Sequence, residues 1–287
     1  MTMDAWTKPP TVAVPAQLQQ QRTGDPFRAA RDIGGALELK ISDTIFRRRP
    51  YDAGLHSRVA CQSPLLTERH KQLRLDFAHS LQNWSVEDGT HVIFSDESTF
   101  CTQLDQQRRV WRPDNFRYDP YFIQEWAASG RRCVNVWGAI SHQGLGPIFR
   151  INGRLTSKVY SDIIDHVLIP YVLDGPFPDR DFWFQLDLNP IHTSRSTKTL
   201  LAERGIRELP WPHKGADVNI VENVWGIIKS KLSTQELHRA SLKKLWEAVQ
   251  REWNDLRNND DLVLHLYGIL PQRIQSLIHR EGNILRY

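Results

Sequence analysis

Three acidic residues in this chain stand where carboxylates can be aimed at one point. Asp96 closes the apolar run Val92-Ile93-Phe94-Ser95, Asp187 closes Phe182-Trp183-Phe184-Gln185-Leu186, and Glu222 falls in the first turn of a stretch with helical spacing over 219–232. The ends of neighbouring strands, with a helix facing them, are where a mixed α/β sheet converges side chains from distant segments. Carboxylate oxygens suit hard cations such as Mg²⁺ or Mn²⁺. Two such ions, about 3.5 to 4 Å apart, activate the attacking oxygen and stabilise the leaving oxygen in phosphodiester chemistry. Taken singly, a strand-end acid more often caps a loop or pairs with an arginine, so the weight rests on the combination.

The neighbours of these acids divide by geometry. Glu97 adjoins Asp96 but alternates to the opposite side of an extended chain, which leaves it out of the set. His192, five residues after Asp187, either touches a scissile phosphate or a metal-bound water, or hydrogen-bonds the loop after the strand. Asp217 is a candidate substitute acid, but five residues before Glu222 it is better placed to shape the turn, and Asn223 is better placed to support the helix start than to bind metal. Lys229, two turns beyond Glu222, lies near the same face and within reach of DNA phosphates, although solvent is the commoner fate of such a lysine. Arg108, Arg109 and Arg112 flank Trp111 as a candidate nucleic-acid clamp. Trp137 and Trp225 read as core.

The elements that must position these groups read as a mixed sheet with flanking helices. Residues 1–24 carry Pro and Gln without apolar periodicity and form a leader with no assigned structure. Residues 25–60 have the spacing of short helices, and they include Arg47-Arg48-Arg49 as the end of a partial helix-turn-helix unit. A linker and a helix with Thr67 as N-cap fill 61–89. Within 90–232, short strand candidates at 91–96, 99–104 and 109–112 suggest an antiparallel meander, followed by strands at 133–141 and 144–151. A helix at 156–172, a strand at 182–187, a helix at 194–204 and a strand at 207–209 then alternate before the Glu222 helix. Antiparallel strands first and β/α alternation afterwards give an α/β fold. Two amphipathic helices, at 241–256 and 271–280, fall in 233–287 and are expected to pack on the catalytic domain.

Composition sets the outer bounds. The chain has 287 residues, 40% hydrophobic and 24% charged, with 10 Trp, which excludes a wholly disordered protein. No apolar run reaches the roughly 18 to 20 residues of a membrane span, and residues 1–15 lack the apolar stretch of a signal peptide. Cys61, Cys101 and Cys133 are odd in number and far apart, which predicts reduced thiols and an intracellular address. The net charge of +4 is uneven: residues 1–75 hold 12 Lys and Arg against 7 Asp and Glu. A basic end fits a polyanion partner, since Lys and Arg release counterions as they neutralise phosphates, and it fits plain solvated surface as well. Neither a phosphate-binding G-x-x-x-x-G-K loop nor a G-x-S-x-G elbow nor an H-E-x-x-H helix is present.

In order, Ser95-Asp96-Glu97-Ser98-Thr99-Phe100, Asp187-Leu188-Asn189-Pro190-Ile191-His192, and Trp211-Pro212 with Asp217-Val218-Asn219-Ile220-Val221-Glu222-Asn223-Val224-Trp225 resemble the motifs of the Tc/mariner superfamily of transposases. Thirty-four residues separate Asp187 from Glu222, the spacing of the Asp-Asp-34-Glu branch. The resemblance covers about 25–287 and implies a ribonuclease H-like catalytic domain at 90–232 with Asp96, Asp187 and Glu222 as its catalytic, metal-binding triad. It implies two Mg²⁺ or Mn²⁺ ions, cleavage at transposon inverted repeats, and transfer of the freed 3′-hydroxyl into target DNA at a TA dinucleotide. A homodimer acting on double-stranded DNA in the nucleus is implied with it. The family carries two helix-turn-helix units, and only the tail of the second is legible here, so a shortened front is expected. Where the family has a Pro before its Ile-Glu, this chain has Ile220, which predicts a looser turn ahead of Glu222. The alternative is a transposase-derived DNA-binding protein that no longer cuts, and a weaker one is a nuclease without strand transfer.

Overall fold

The computed structural model describes residues 65–102 and 131–285. The leader, the helix-turn-helix segment, Arg47, Arg48 and Arg49, and Arg108, Arg109, Trp111 and Arg112 lie outside the described residues. Helix α1, Glu68–Ser80, starts where expected: Thr67 Oγ1 accepts a hydrogen bond from the His70 N–H, and the Thr67 N–H donates to His70 Nδ1. A five-residue helix, α2 (Val86–Thr90), opens on a second capping box formed by Ser85 and Asp88. Strand β1 (Val92–Cys101) pairs antiparallel with β2 (Cys133–Ser141), which pairs antiparallel with β3 (Gly144–Ile151).

Helix α3 (Ser157–Ile163) runs through a π-helical turn (Ile164–Leu168) into α4 (Ile169–Leu173). The wider turn keeps Tyr160, Ile163, Ile164, Leu168 and Val172 all buried. Strand β4 (Trp183–Gln185), helix α5 (Arg195–Glu203) and strand β5 (Arg207–Glu208) follow, then the helices α6 (Val221–Ser233), α7 (Leu242–Arg257), α8 (Asp260–Gly268) and α9 (Leu270–His279). The sheet order is β3-β2-β1-β4-β5, with β1, β4 and β5 parallel. This is the mixed sheet with flanking helices that the residue patterns predicted. Helices α2 and α8 were not legible as separate elements.

Two cores sandwich the sheet. On one face Val92, Phe94, Phe100, Val136 and Ile140 pack with the apolar stripe of α6, whose Val221, Val224, Trp225, Ile228 and Leu232 recur at helical spacing. On the other, Ile93, Trp137, Ala139 and Phe184 meet Tyr160, Ile163, Ile164 and Leu201 from α3, the π-helical turn and α5. Trp137 and Trp225 are fully buried, as expected of core residues.

Three expectations need correction. The strand candidates at 91–96 and 99–104 are one ten-residue strand up to Cys101, because Ser98 and Phe100 continue the buried alternation past the polar residues. Asp96 therefore lies mid-strand, opposite Gly138, instead of at a strand end. Cys101 and Cys133, 32 residues apart in sequence, face each other across the β1–β2 pair and are joined by a disulfide. The strand register creates that proximity, so the argument from reduced thiols to an intracellular address lapses.

Candidate active site

The register of β1 against β4 brings the first two acids to matching positions. Phe94 pairs with Gln185 in the parallel ladder, and Asp96 and Asp187 each follow two residues later, where β4 ends and β1 continues. At this parting, Ser95 Oγ donates to the Gln185 carbonyl and the Ser95 N–H donates to Gln185 Oε1, locking the two strands together just before both acids.

Glu222 arrives from α6 on the face that carries Phe94 and Phe100. Asn219 sets its approach: Nδ2 donates to the Ser95 carbonyl at 3.1 Å, and Oδ1 accepts from the Val221 N–H at 3.2 Å. One buried side chain thus ties the start of the Glu222 helix to the strand of Asp96. Beneath it, Asp217 forms a two-pronged ion pair with the fully buried Arg74 of α1 (2.8 and 2.6 Å) and accepts the Leu285 N–H. Arg273 of α9 donates to Asn223 Oδ1 at 2.6 Å and to the Asp217 carbonyl. The looser turn expected from Ile220 is not found: Ile220 is fully buried, and these polar anchors hold the turn in place of a proline. Asp217 and Asn223 have the structural roles assigned to them.

The carboxyl of Glu222 lies near enough to Asp96 for its charge to act there. Burial first, then the charges of Glu222 and Glu97, push Asp96 up to about 9. Asp187, with its side chain 52% exposed, turns to His192, whose Nδ1 lies 2.5 Å from Asp187 Oδ1. The same oxygen accepts the Asn189 N–H at 2.9 Å. Burial opposes charge on Asp187, yet the hydrogen bonds from His192 and Asn189 hold it below the ordinary carboxylate value. Burial likewise opposes charge on His192, and its contacts with Asp187 and Glu97 outweigh that and raise it to about 9.

Glu97 does point to the opposite side from Asp96, as alternation required. There Glu97 Oε1 lies 3.3 Å from His192 Nε2, and the Tyr160 ring lies tilted against the imidazole, their centroids 4.2 Å apart. Neither Glu97 nor Tyr160 was singled out as functional from sequence. The signal for Glu97 was present in its adjacency to Asp96, whereas Tyr160 reads only as one apolar position of a helix. Lys229 is exposed on α6, its ammonium 5.8 Å from the Phe100 ring. Glu222 borders a groove of about 350 Å³ that it shares with Asn219, Asn223, Ser230 and Arg273.

The donors at Asp96, Asp187 and Glu222 are all carboxylate oxygens, the ligands of a hard divalent cation, and the neighbouring pair Asp96–Glu222 is a place where a cation relieves like-charge repulsion. Among the described residues no group of three His, Cys, Asp or Glu closes around one point. The arrangement therefore fits ions held by one or two carboxylates plus water and phosphate oxygens, and not an all-protein cage.

Comparison with known proteins agrees with this fold. Residues 91–245 match the family described as DDE superfamily endonuclease, and residues 16–83 match a family described as transposase. The chain is 28% identical over 268 residues to the transposable element Tcb2 transposase of Caenorhabditis briggsae, covering 92% of this chain and 96% of that one. It is 28% identical over 269 residues to the Tc1 transposase of Caenorhabditis elegans, with the same coverage. In fold it is similar to the Mos1 transposase of a pre-cleavage transpososome (TM-score 0.78, 15% identity, 99% of this chain and 83% of that one). The Mos1 mariner paired-end complex with Mn gives a TM-score of 0.77 at the same identity and coverage. A five-stranded sheet of ribonuclease H-like order, with Asp96 on β1 and Asp187 just beyond the end of β4, together with these sequence matches, has one reading: the chain belongs to the DDE superfamily of endonucleases and is a transposase of the Tc1/mariner kind.

Proposed function

We propose that Asp96, Asp187 and Glu222 hold two Mg²⁺ or Mn²⁺ ions with which the protein cuts double-stranded DNA at transposon inverted repeats. It then joins the freed 3′-hydroxyl to target DNA at TA, working as a homodimer in the nucleus. The observation that carries this reading is the parting of β1 and β4, where Asp96 and Asp187 stand at equal offsets from a paired register and the charge of Glu222 acts on Asp96. Bound there, the ions supply Lewis-acid activation of the attacking and leaving oxygens. The chain's own residues do the positioning: Asn219 fixes α6 to β1, and His192 fixes Asp187 Oδ1. Lys229, exposed on the Glu222 helix, offers an ammonium to phosphate, and Arg47, Arg48, Arg49, Arg108, Arg109 and Arg112 are assigned the same task from sequence.

The test uses the protein with an end duplex, a TA-containing plasmid and Mg²⁺. Cut ends joined to the plasmid at TA support strand transfer; cutting without joining leaves a nuclease. A second reading, a DNA-binding protein that no longer cuts, draws on the engagement of Asp187 by His192, and salt-sensitive binding without any cut product would establish it.

A further inference from the structure

The carboxylate of Asp187 is engaged on one oxygen. Its Oδ1 takes both hydrogen bonds, from His192 Nδ1 and from the Asn189 N–H, while Oδ2 accepts none among the described residues. His192 is what sets this asymmetry, and His192 is itself held on three sides. It is 3% exposed; the Tyr160 ring lies at 4.2 Å against its face; and Glu97 Oε1 stands 3.3 Å from its far nitrogen. Glu97 Oε1, His192 Nε2 and the Tyr160 hydroxyl are all buried without a hydrogen-bond partner, so at the far nitrogen of His192 the ion pair with Glu97 is what offsets desolvation.

We propose that Glu97 is a positioning residue of the active site: by pinning His192 from behind, it keeps the imidazole turned to Asp187 Oδ1 and leaves Oδ2 as the oxygen presented to the divalent ion. This rests on the assignment of Asp187 as a metal ligand. The adjacent acids of β1 then serve two faces of the sheet, Asp96 on the side of α6 and Glu97 on the side of α3. Groups that orient a ligand from the next layer out typically control metal affinity or activity by about 10- to 100-fold.

The experiment measures Mn²⁺ binding to the full-length protein by electron paramagnetic resonance of the free ion, without DNA, beside the initial rate of end-duplex nicking. Glu97→Ala is expected to weaken Mn²⁺ binding and nicking by about tenfold or more. Glu97→Gln, which keeps an oxygen facing His192, is expected to recover most of both. In a His192→Ala background, Glu97→Ala is expected to cost nothing further, because its route to the metal is gone. Additive effects of the two alanine changes, equal losses in Glu97→Gln and Glu97→Ala, or unchanged Mn²⁺ binding in Glu97→Ala would overturn the proposal. Asp187→Asn separates the layers. If it binds Mn²⁺ as the wild type does, the metal assignment itself fails; if it loses Mn²⁺ while Glu97→Ala does not, only the positioning role fails.

Discussion

The side-chain amide of Asn219 donates to the carbonyl of Ser95, so the residue that starts the Glu222 helix grips the strand one residue before Asp96. Since Asn219 is buried and both ends of its amide are used, Asn219→Ala strands the Ser95 carbonyl and frees the start of α6. The expected cost is about 1–3 kcal/mol in urea unfolding, with a larger fractional loss of cleavage than of DNA binding.

The ion pair of Arg74 with Asp217 joins α1 to the same turn, with the Arg74 side chain fully buried and that of Asp217 13% exposed. Asp217→Ala leaves a buried guanidinium uncompensated and is expected to cost about 3–5 kcal/mol. The exposed pair Lys243–Glu247, 3.9 Å apart on α7, is the control: Glu247→Ala is expected to change stability by no more than about 0.5 kcal/mol. Chemical denaturation of both variants checks the contrast.

Gly138, paired with Asp96, is where two indoles seat on the sheet. A Cβ there would stand 2.7 Å from the ring of Trp225 and 2.9 Å from that of Trp253, and those rings already lie tilted against each other at 5.0 Å. Gly138→Ala is expected to destabilise by about 1–3 kcal/mol and to displace α6 relative to β1. A lowered melting temperature together with reduced nicking would register both effects.

A divalent ion that binds the folded site and not the unfolded chain must raise the melting temperature. At a Mn²⁺ concentration 100 times the dissociation constant, the gain is about 2.7 kcal/mol. Chelation with EDTA should reverse it, and Asp96→Asn should shrink it. An equal Mn²⁺ shift in Asp96→Asn would place the ion elsewhere.

The sheet was legible in sequence wherever apolar alternation had clean ends, as at 144–151 and 207–209, and the helices wherever a cap preceded an apolar stripe, as at Thr67 and Ser241. Asp96 was found as an acid but misplaced at a strand end, because Asp96-Glu97-Ser98-Thr99 looks like a polar break. Only the fold shows that β1 continues to Cys101, although alternation had already placed Glu97 on the side away from Asp96. The Cys101–Cys133 bridge escaped for a related reason: proximity across a sheet follows register, which three scattered cysteines do not encode. The turn before Glu222 was expected to be loose without its proline. Its anchors, Arg74 and Arg273, lie 143 and 56 residues from Asp217, beyond the reach of local reading.

The most direct measurement of the central claim is the nicking rate of an end duplex in Mg²⁺ by wild type and by Asp96→Asn, Asp187→Asn and Glu222→Gln, with duplex binding measured in parallel. Each carboxylate supports several kcal/mol of transition-state stabilisation through the ions, so each variant should lose about 100-fold or more in rate while still binding the duplex. Wild-type nicking by any one of the three variants would contradict the account.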